Sequence, residues 1–331
     1  MKKILFISRE RTSNYGISTG LLESSNFIVN FLKSKKIDVK SVVCKDSNGI
    51  DKEVFEYKPT HIIISAIWVP PYKLKELYNK YKNICWNIRI HSKLPFLANE
   101  GIAFEWLVAY NKISPDIQIS ANNHEAAKEL TYALDFPVLY LPNIYCFKKI
   151  KSTRIPNGFI DIGCFGAIRP LKNTLMQAVA AIRFGNKNNK KIRFHINSFR
   201  TEQNGDQVLK NLKALFSNYN GTHELVEHEW LSHDNFLKLI SQMELGLQVS
   251  LSETFNIVSA DFVNMEIPIV VSNEIEWAPD KLKTASTEID KIVSKMEEVY
   301  FKTGVFYRKL LKIALQNYNK KSEKYWINYA K

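Results

Sequence analysis

Short apolar runs alternate with stretches of helical spacing along almost the whole chain. In the first half KILFIS (3–8), VKSVVC (39–44), THIIISAI (60–67), NICWNIRIHS (83–92) and DIQISA (116–121) read as strands. Helical patterns lie between several of them. Ser18-Thr19-Gly20 opens one that runs through Leu32, and NNHEAAKELTYAL reads as another, capped at Asn122 or Asn123. PVLYLPN closes the half. From Ile144 to Gly158 the chain turns basic, with Pro156-Asn157-Gly158 as turn residues, which marks a linker.

The second half restarts with IDIGCFGAI, a strand ending in glycines, followed by LKNTLMQAVAAIRFG, a helix expected to stop at Gly185. KIRFHIN is a strand, DQVLKNLKALFSNY a helix, LVEHEW a short strand and SHDNFLKLISQME a capped helix. LGLQVSL leads into a loop, and IPIVVS, a short β-branched run, reads as a buried strand. Ser286–Met296 and Tyr307–Tyr329 look helical and amphipathic. This βα alternation in both halves predicts an α/β protein with two doubly wound, Rossmann-like parallel-sheet domains that face one another. The expected division is 1–145, a linker at 146–158, 159–305, and a C-terminal helix over 306–331 that packs back on the first domain. Ligands of such sheets bind outside the carboxyl ends of the strands, so the interdomain cleft is the expected site.

Composition narrows the class. The chain has 331 residues, 45% of them hydrophobic and 24% charged, as in ordinary globular proteins. No stretch reaches the roughly 20 apolar residues of a membrane span, and the N-terminal run ILFI is too short for a signal peptide. A cytoplasmic protein is expected. Cys44, Cys85, Cys146 and Cys164 are scattered among apolar segments and read as buried free thiols, and the histidines show no metal spacing. A metal site is not expected. The net charge of +13 either solubilises the surface or favours an anionic partner: nucleotide, nucleic acid or anionic lipid. Basic clusters stand at 147–151, 187–193 and 320–324.

The stretch LSETFNIVSADFVNMEIPIVVSNEIEW (251–277) carries the candidate chemistry. Glu253 and Asp261 have seven residues between them, and positions about eight apart return to one face of a helix. With Glu253 in a loop and Asp261 two turns inside a helix, both carboxylates can line one cleft. Ser252 and Thr254 suit the helix start, so amides near Phe255 and Asn256 can meet oxygens. The alternative is a surface helix with two solvated acids.

Together with Gly166-Ala-Ile-Arg169-Pro-Leu-Lys172-Asn173, these elements resemble retaining glycosyltransferases of the GT-B fold, family-4 type. The resemblance spans most of the C-terminal half. The N-terminal half matches more loosely, through the loop with Gly16, Ser18, Thr19 and Gly20, the strand ending in His91-Ser92, and the LPN hinge. SETFNIVSAD and IHSKLPFLANEG look most similar to short bacteriophage-encoded glycosyltransferases, some of which modify bases in phage DNA.

The resemblance implies roles. Glu253 matches the first acid of the family's E-x7-E motif and would contact donor sugar hydroxyls. Asp261 stands where the family commonly has Glu for the nucleotide ribose. Arg169 and Lys172 match the basic pair that faces the donor diphosphate, although they lie three apart where many members have five. Phe255, Asn256 and Ile257 would offer backbone amides to the sugar and distal phosphate, and Ser252 and Gly166 would complete the donor site. His91 is the candidate near the reacting carbon, or else a satisfied histidine at a strand end. Gly16, Ser18 and Thr19 would approach diphosphate or acceptor, or simply cap a helix. His195 and His228 read as structural, and Trp106, Trp230 and Trp277 as core. The implied activity is retaining, metal-independent transfer from a nucleotide-sugar, without a cofactor. The leading acceptor is a hydroxymethylated base in DNA, with Arg89, Lys93, Lys148 and Lys149 as backbone contacts, in a host cytoplasm if the protein is phage-encoded. The alternatives are a saccharide or lipid-linked acceptor at a membrane surface, and a non-catalytic nucleotide-sugar-binding protein.

Overall fold

The computed structural model describes residues 2–10, 20–152, 154–155, 157–219, 221–302 and 304–331. Gly16, Ser18 and Thr19 lie outside the described residues. The chain divides into two compact units, one reaching Cys146 and including Tyr318–Lys331, the other Phe147–Asn317.

In the first unit the elements run β1 (Lys3–Arg9), α1 (Gly20–Ser34), β2 (Asp38–Cys44), α2 (Gly49–Tyr57), β3 (His61–Ser65) and α3 (Pro71–Lys80). They continue with β4 (Cys85–Ile90), the single turn α4 (Leu94–Leu97), α5 (Ala103–Ile113), β5 (Gln118–Ala121), α6 (His124–Leu134) and β6 (Val138–Tyr140). The six strands are parallel, in the order β2-β1-β3-β4-β5-β6. The run Ile4-Leu5-Phe6-Ile7 shows why the central strands are apolar at every position. Leu5 and Ile7 enter one core with Ile62, Ile64, Trp86 and Ile88; Ile4 and Phe6 enter another with Ile28, Leu32, Ile63 and Trp326. A strand covered on both faces needs apolar side chains on both. Asn123 caps α6 by accepting from the Ala126 amide at 2.9 Å.

Arg89 belongs to one of these covered strands, and it is fully buried. Its Nε donates to the Leu141 carbonyl at 3.0 Å and its Nη2 to Asn143 Oδ1 at 2.6 Å. Lys93 is buried too and ion-paired with Glu125. Neither can reach a nucleic-acid backbone, which corrects the expectation drawn from their charge.

The second unit runs β7 (Ile160–Gly163), a 3₁₀ turn at Pro170–Lys172, α7 (Thr174–Lys187), β8 (Ile192–Asn197), α8 (Gly205–Ser217) and β9 (His223–His228). There follow α9 (His233–Ile240), β10 (Leu245–Gln248), α10 (Ile257–Asn264), β11 (Ile269–Ser272) and the two-residue β12 (Lys283–Thr284). Then come α11 (Ile289–Glu297), a π-helical turn at Glu298–Lys302, and α12 (Gly304–Ala330), whose end from Tyr318 belongs to the first unit. The order is β12-β11-β10-β7-β8-β9, all parallel. Successive strands are laid outward from β7 to β9 on one side and from β10 to β12 on the other. The direction therefore reverses between β7 and β10, and the loops leaving these two strands diverge around a crevice.

Three local expectations change. Gly185 does not end α7 but is buried within it, where a Cβ would stand 2.8 Å from His223 and 2.9 Å from the Lys190 carbonyl. Helix and strand pack too closely there for any side chain. The strand at IDIG stops at Gly163, because the chain leaves the sheet to build the loop before α7. All four cysteines are free, but only Cys44 and Cys164 are buried; Cys85 and Cys146 are half-buried. Among the described residues no helix is long and apolar enough to cross a membrane.

Candidate functional site

The loops after β7 and β10 meet at the switch point and are stitched together by side chains and backbone. The Leu251 amide donates to the Leu171 carbonyl at 2.9 Å. Asn173 Nδ2 donates to the Val249 carbonyl at 3.1 Å and to the Ser286 carbonyl at 2.7 Å. Gln177, on the first turn of α7, accepts from the Val249 amide at 2.8 Å and donates to the Lys172 carbonyl at 2.8 Å. These bonds fix the backbone on both sides of one pair: Lys172 Nζ donates to Glu253 Oε1, and both side chains are largely buried.

Burial by itself would raise the Glu253 pKa. The charges of Lys172 and then Arg169 outweigh it and hold the carboxyl below its ordinary value. A buried carboxylate kept ionised by two cations accepts hydrogen bonds and does not donate a proton. Gly166 completes this side of the crevice. Its φ of 120° is open only to glycine, and its amide donates to Asn197 Oδ1 at 3.0 Å. The Lys172 ammonium runs close past it, 4.0 Å from where a Cβ would be.

The loop carrying Glu253 ends differently from the sequence expectation. Ser252 and Thr254 do not begin the helix. α10 starts at Ile257, and its cap is Asn256, which takes a left-handed φ of 54° and accepts from the Ser259 amide at 2.8 Å. Asn tolerates this conformation better than Ser or Thr, whose side chains gain less from it. The other end of the Asn256 amide donates to Gln248 Oε1 at 2.8 Å, and Gln248 donates to the Phe165 carbonyl at 2.9 Å. Trp277 Nε1 donates to the Phe255 carbonyl at 2.7 Å. The Glu253 loop is thus held by β10, by the end of β7 and by Trp277. As at any helix start, the first amides of α10, at Ile257 and Val258, have no intrahelical carbonyl to meet.

Lys172, Arg169, Glu253 and Gly166 are therefore brought together. Asp261 is held elsewhere: it is buried on the second turn of α10, and its Oδ1 lies 2.8 Å from Nε2 of His233, the first residue of α9. His91 belongs to the first unit, just past β4, with Nε2 3.4 Å from Arg89 Nη1. Burial, then the Arg89 charge, drive its pKa well below the ordinary imidazole value. His195 bridges Asp161 and His228, at 2.9 Å and 2.8 Å, inside the second unit. Trp277 is buried, whereas Trp106 and Trp230 are half-buried.

Sequence reading missed Gln177, Asn197, His233 and Glu202. The last accepts from Arg169 Nη1 at 2.9 Å. The signal for Glu202 was slight, an acid two residues before the Asn-Gly pair that opens α8. Gln177 stands one helical turn after Asn173, where it can reach back to the loop.

No protein-family model matches the chain, and no curated protein matches it in sequence. Solved structures do match. Sucrose-phosphate synthase from Thermosynechococcus elongatus aligns with a TM-score of 0.72 at 11% identity, over 99% of this chain and 98% of that one. The Escherichia coli trehalose-6-phosphate protein bound with UDP-2-fluoro glucose aligns at 0.71 and 11%, over 99% of each chain. A UDP-forming α,α-trehalose-phosphate synthase from Burkholderia xenovorans aligns at 0.69 and 10%, over 99% and 98%. The chain has the GT-B fold. At this identity the likeness is one of architecture: two Rossmann-like units, each built on a six-stranded parallel sheet. Among the described residues, no group of three His, Cys, Asp or Glu side chains is placed to hold a metal ion.

Proposed function

We propose that this GT-B protein is a retaining glycosyltransferase that takes its sugar from a nucleotide-sugar. The observation that carries the reading is the buried Lys172–Glu253 pair, with Arg169 close enough to bias it, at the switch point of the second sheet. A nucleotide-sugar offers a diphosphate and a ring of hydroxyls. Lys172 and Arg169 suit the diphosphate, and the first amides of α10 suit its oxygens. Glu253, ionised, suits the sugar hydroxyls as an acceptor. The structural neighbour carrying UDP-2-fluoro glucose supports a donor of this class.

In the reaction, the bond between the anomeric carbon and the phosphate oxygen breaks, and a bond from the acceptor oxygen forms on the same face. The acceptor hydroxyl proton passes to the departing diphosphate. Negative charge grows on that diphosphate, where two fixed cations stabilise it without reorganising. They fill the role a divalent metal would otherwise fill, so no metal or other cofactor is required in this reading. Asp261 with His233 is the candidate contact for the ribose. His91, and the loop with Gly16, Ser18 and Thr19, are assigned to the acceptor side.

For the acceptor, the charge of +13 and the motif SETFNIVSAD favour a hydroxymethylated base in DNA, as in the short phage-encoded type acting in a host cytoplasm. Because Arg89 and Lys93 are buried and Lys148 is paired with Asp234, backbone contacts fall to exposed lysines such as Lys149. A thermal-shift screen of nucleotide-sugars, followed by turnover on hydroxymethylated DNA, tests the reading. A donor that stabilises the protein, together with sugar on the DNA, supports it. Donor binding with liposome association and no DNA affinity would transfer the acceptor to a membrane-side saccharide. No stabilisation by any nucleotide-sugar would refute the donor assignment.

A further inference from the structure

The segment between β8 and α8 is built around Glu202. Gln203 and Asn204 take positive φ values of 48° and 67°, a left-handed conformation that residues other than Gly and Asn rarely adopt. Gly205 follows where a Cβ would stand 2.0 Å from the Ile168 carbonyl oxygen, so no other residue fits. The Ile168 amide donates to the Arg200 carbonyl and the Glu202 amide to the Ile168 carbonyl, both at 2.9 Å. A strained turn and two backbone bonds thus press residues 200–202 against the residue that precedes Arg169.

The side chains use this contact. Glu202 Oε2 accepts from Arg169 Nη1 at 2.9 Å. Its Oε1 accepts from Arg200 Nε at 2.9 Å and from Arg200 Nη2 at 2.5 Å. The Arg200 guanidinium lies over the Trp230 ring, 4.6 Å from its centroid. One carboxylate therefore serves two guanidinium groups, one of them anchored on an aromatic face.

Resting on the glycosyl-transfer reading, we propose that Glu202 is a positioning residue for the donor diphosphate. Its Arg200 side is fixed by Trp230, and its Arg169 side holds that guanidinium in one orientation on the Glu253 side of the crevice. A rival role is simple charge neutralisation of Arg169. The two roles predict opposite signs. If Glu202 only neutralises, removing its charge strengthens the pull on an anion. If it positions, removing it weakens the pull, because a disoriented arginine loses its directed hydrogen bonds.

The experiment is calorimetric titration of Glu202→Gln with UDP and with uridine, after circular dichroism and thermal melting confirm the fold. A glutamine has one acceptor oxygen and cannot serve both arginines. The expected result is UDP binding weaker by about tenfold, the scale of one charged hydrogen bond, with uridine binding unchanged. Glu202→Asp keeps the charge but is one methylene shorter and cannot hold both arginines; positioning predicts weaker UDP binding, neutralisation unchanged binding. It decides the matter should Glu202→Gln fail to fold. Tighter or unchanged UDP binding would overturn the positioning role, as would equal weakening of UDP and uridine. Wild-type protein that binds none of UDP, ADP and GDP would overturn the transfer reading and the Glu202 role with it.

Discussion

Lys172→Met removes one partner of the Lys172–Glu253 pair and keeps most of the side-chain volume. Glu253 is only 9% exposed, so the carboxylate left behind is buried with Arg169 as its remaining cation. Breaking a buried ion pair from one side typically costs about 3–5 kcal/mol. Because the Lys172 side chain is 15% exposed, the lower end applies, about 3 kcal/mol at neutral pH. The sign with pH follows from linkage. In the wild type, Glu253 titrates below its ordinary 4.5, so its contribution is present above that value and is lost as pH falls through the folded value. In the variant only Arg169 and Ser250 still oppose burial, so the folded pKa moves up from its wild-type position. Ionisation of the carboxyl then stabilises the variant less than the wild type. The penalty of the substitution should therefore grow with pH. Urea denaturation of both proteins at about pH 5 and pH 8 measures it, with equal m-values as the check on two-state behaviour. Lys172→Met with Glu253→Gln removes both charges and should recover more than half of the loss. A penalty that is the same at both pH values, with no recovery in the double variant, would show that the buried Glu253 charge does not set the cost.

Three other outcomes follow from the same geometry. Asn256→Ala loses the α10 cap, the bond to Gln248 and a residue suited to positive φ; it should cost about 2 kcal/mol in denaturant melts. Asp161 can only accept, so His195 donates to it from Nε2, and His195 Nδ1 lies 2.8 Å from His228 Nε2. Burial and His195 lower the His228 pKa from 6.5 to about 4, so the folded protein loses stability as pH falls from about 6.5 towards 4; His228→Asn should flatten this slope in melting temperature against pH. Transfer should survive excess chelator, since Lys172 and Arg169 supply the positive charge; loss with EDTA restored by Mg²⁺ or Mn²⁺ would show a metal at the diphosphate.

Much of the architecture was legible in the chain because a covered parallel strand leaves a plain mark. Ile4–Ile7, Ile62–Ile64 and Ile269–Val271 are continuous apolar runs, and helical spacing separates them. Loops were harder. In SETFN three residues can cap a helix, and local preference does not decide among them; the backbone at Asn256 does. Gly185 looked like a stop, since nothing nearby in sequence reveals that His223 packs on it. Arg89 looked exposed because it is charged, whereas its place in a central strand buries it. Among candidate site residues, Lys172 and Glu253 were named from motifs, and the structure joins them across 81 positions. The partners Glu202 and His233 lie 33 and 28 positions from Arg169 and Asp261, beyond any periodicity.

The proposed reaction requires the β7–β10 crevice to bind a nucleotide-sugar through Lys172, Arg169 and Glu253 and to cleave it. The most direct measurement is release of nucleoside diphosphate from a panel of nucleotide-sugars, in the presence of acceptor DNA, by wild type, Glu253→Gln and Lys172→Met. Turnover of one donor by the wild type is expected, with a loss of about 10²–10³ in each variant that still folds and still melts cooperatively. Wild-type rates in both variants, or no turnover of any donor by the wild type, would contradict it.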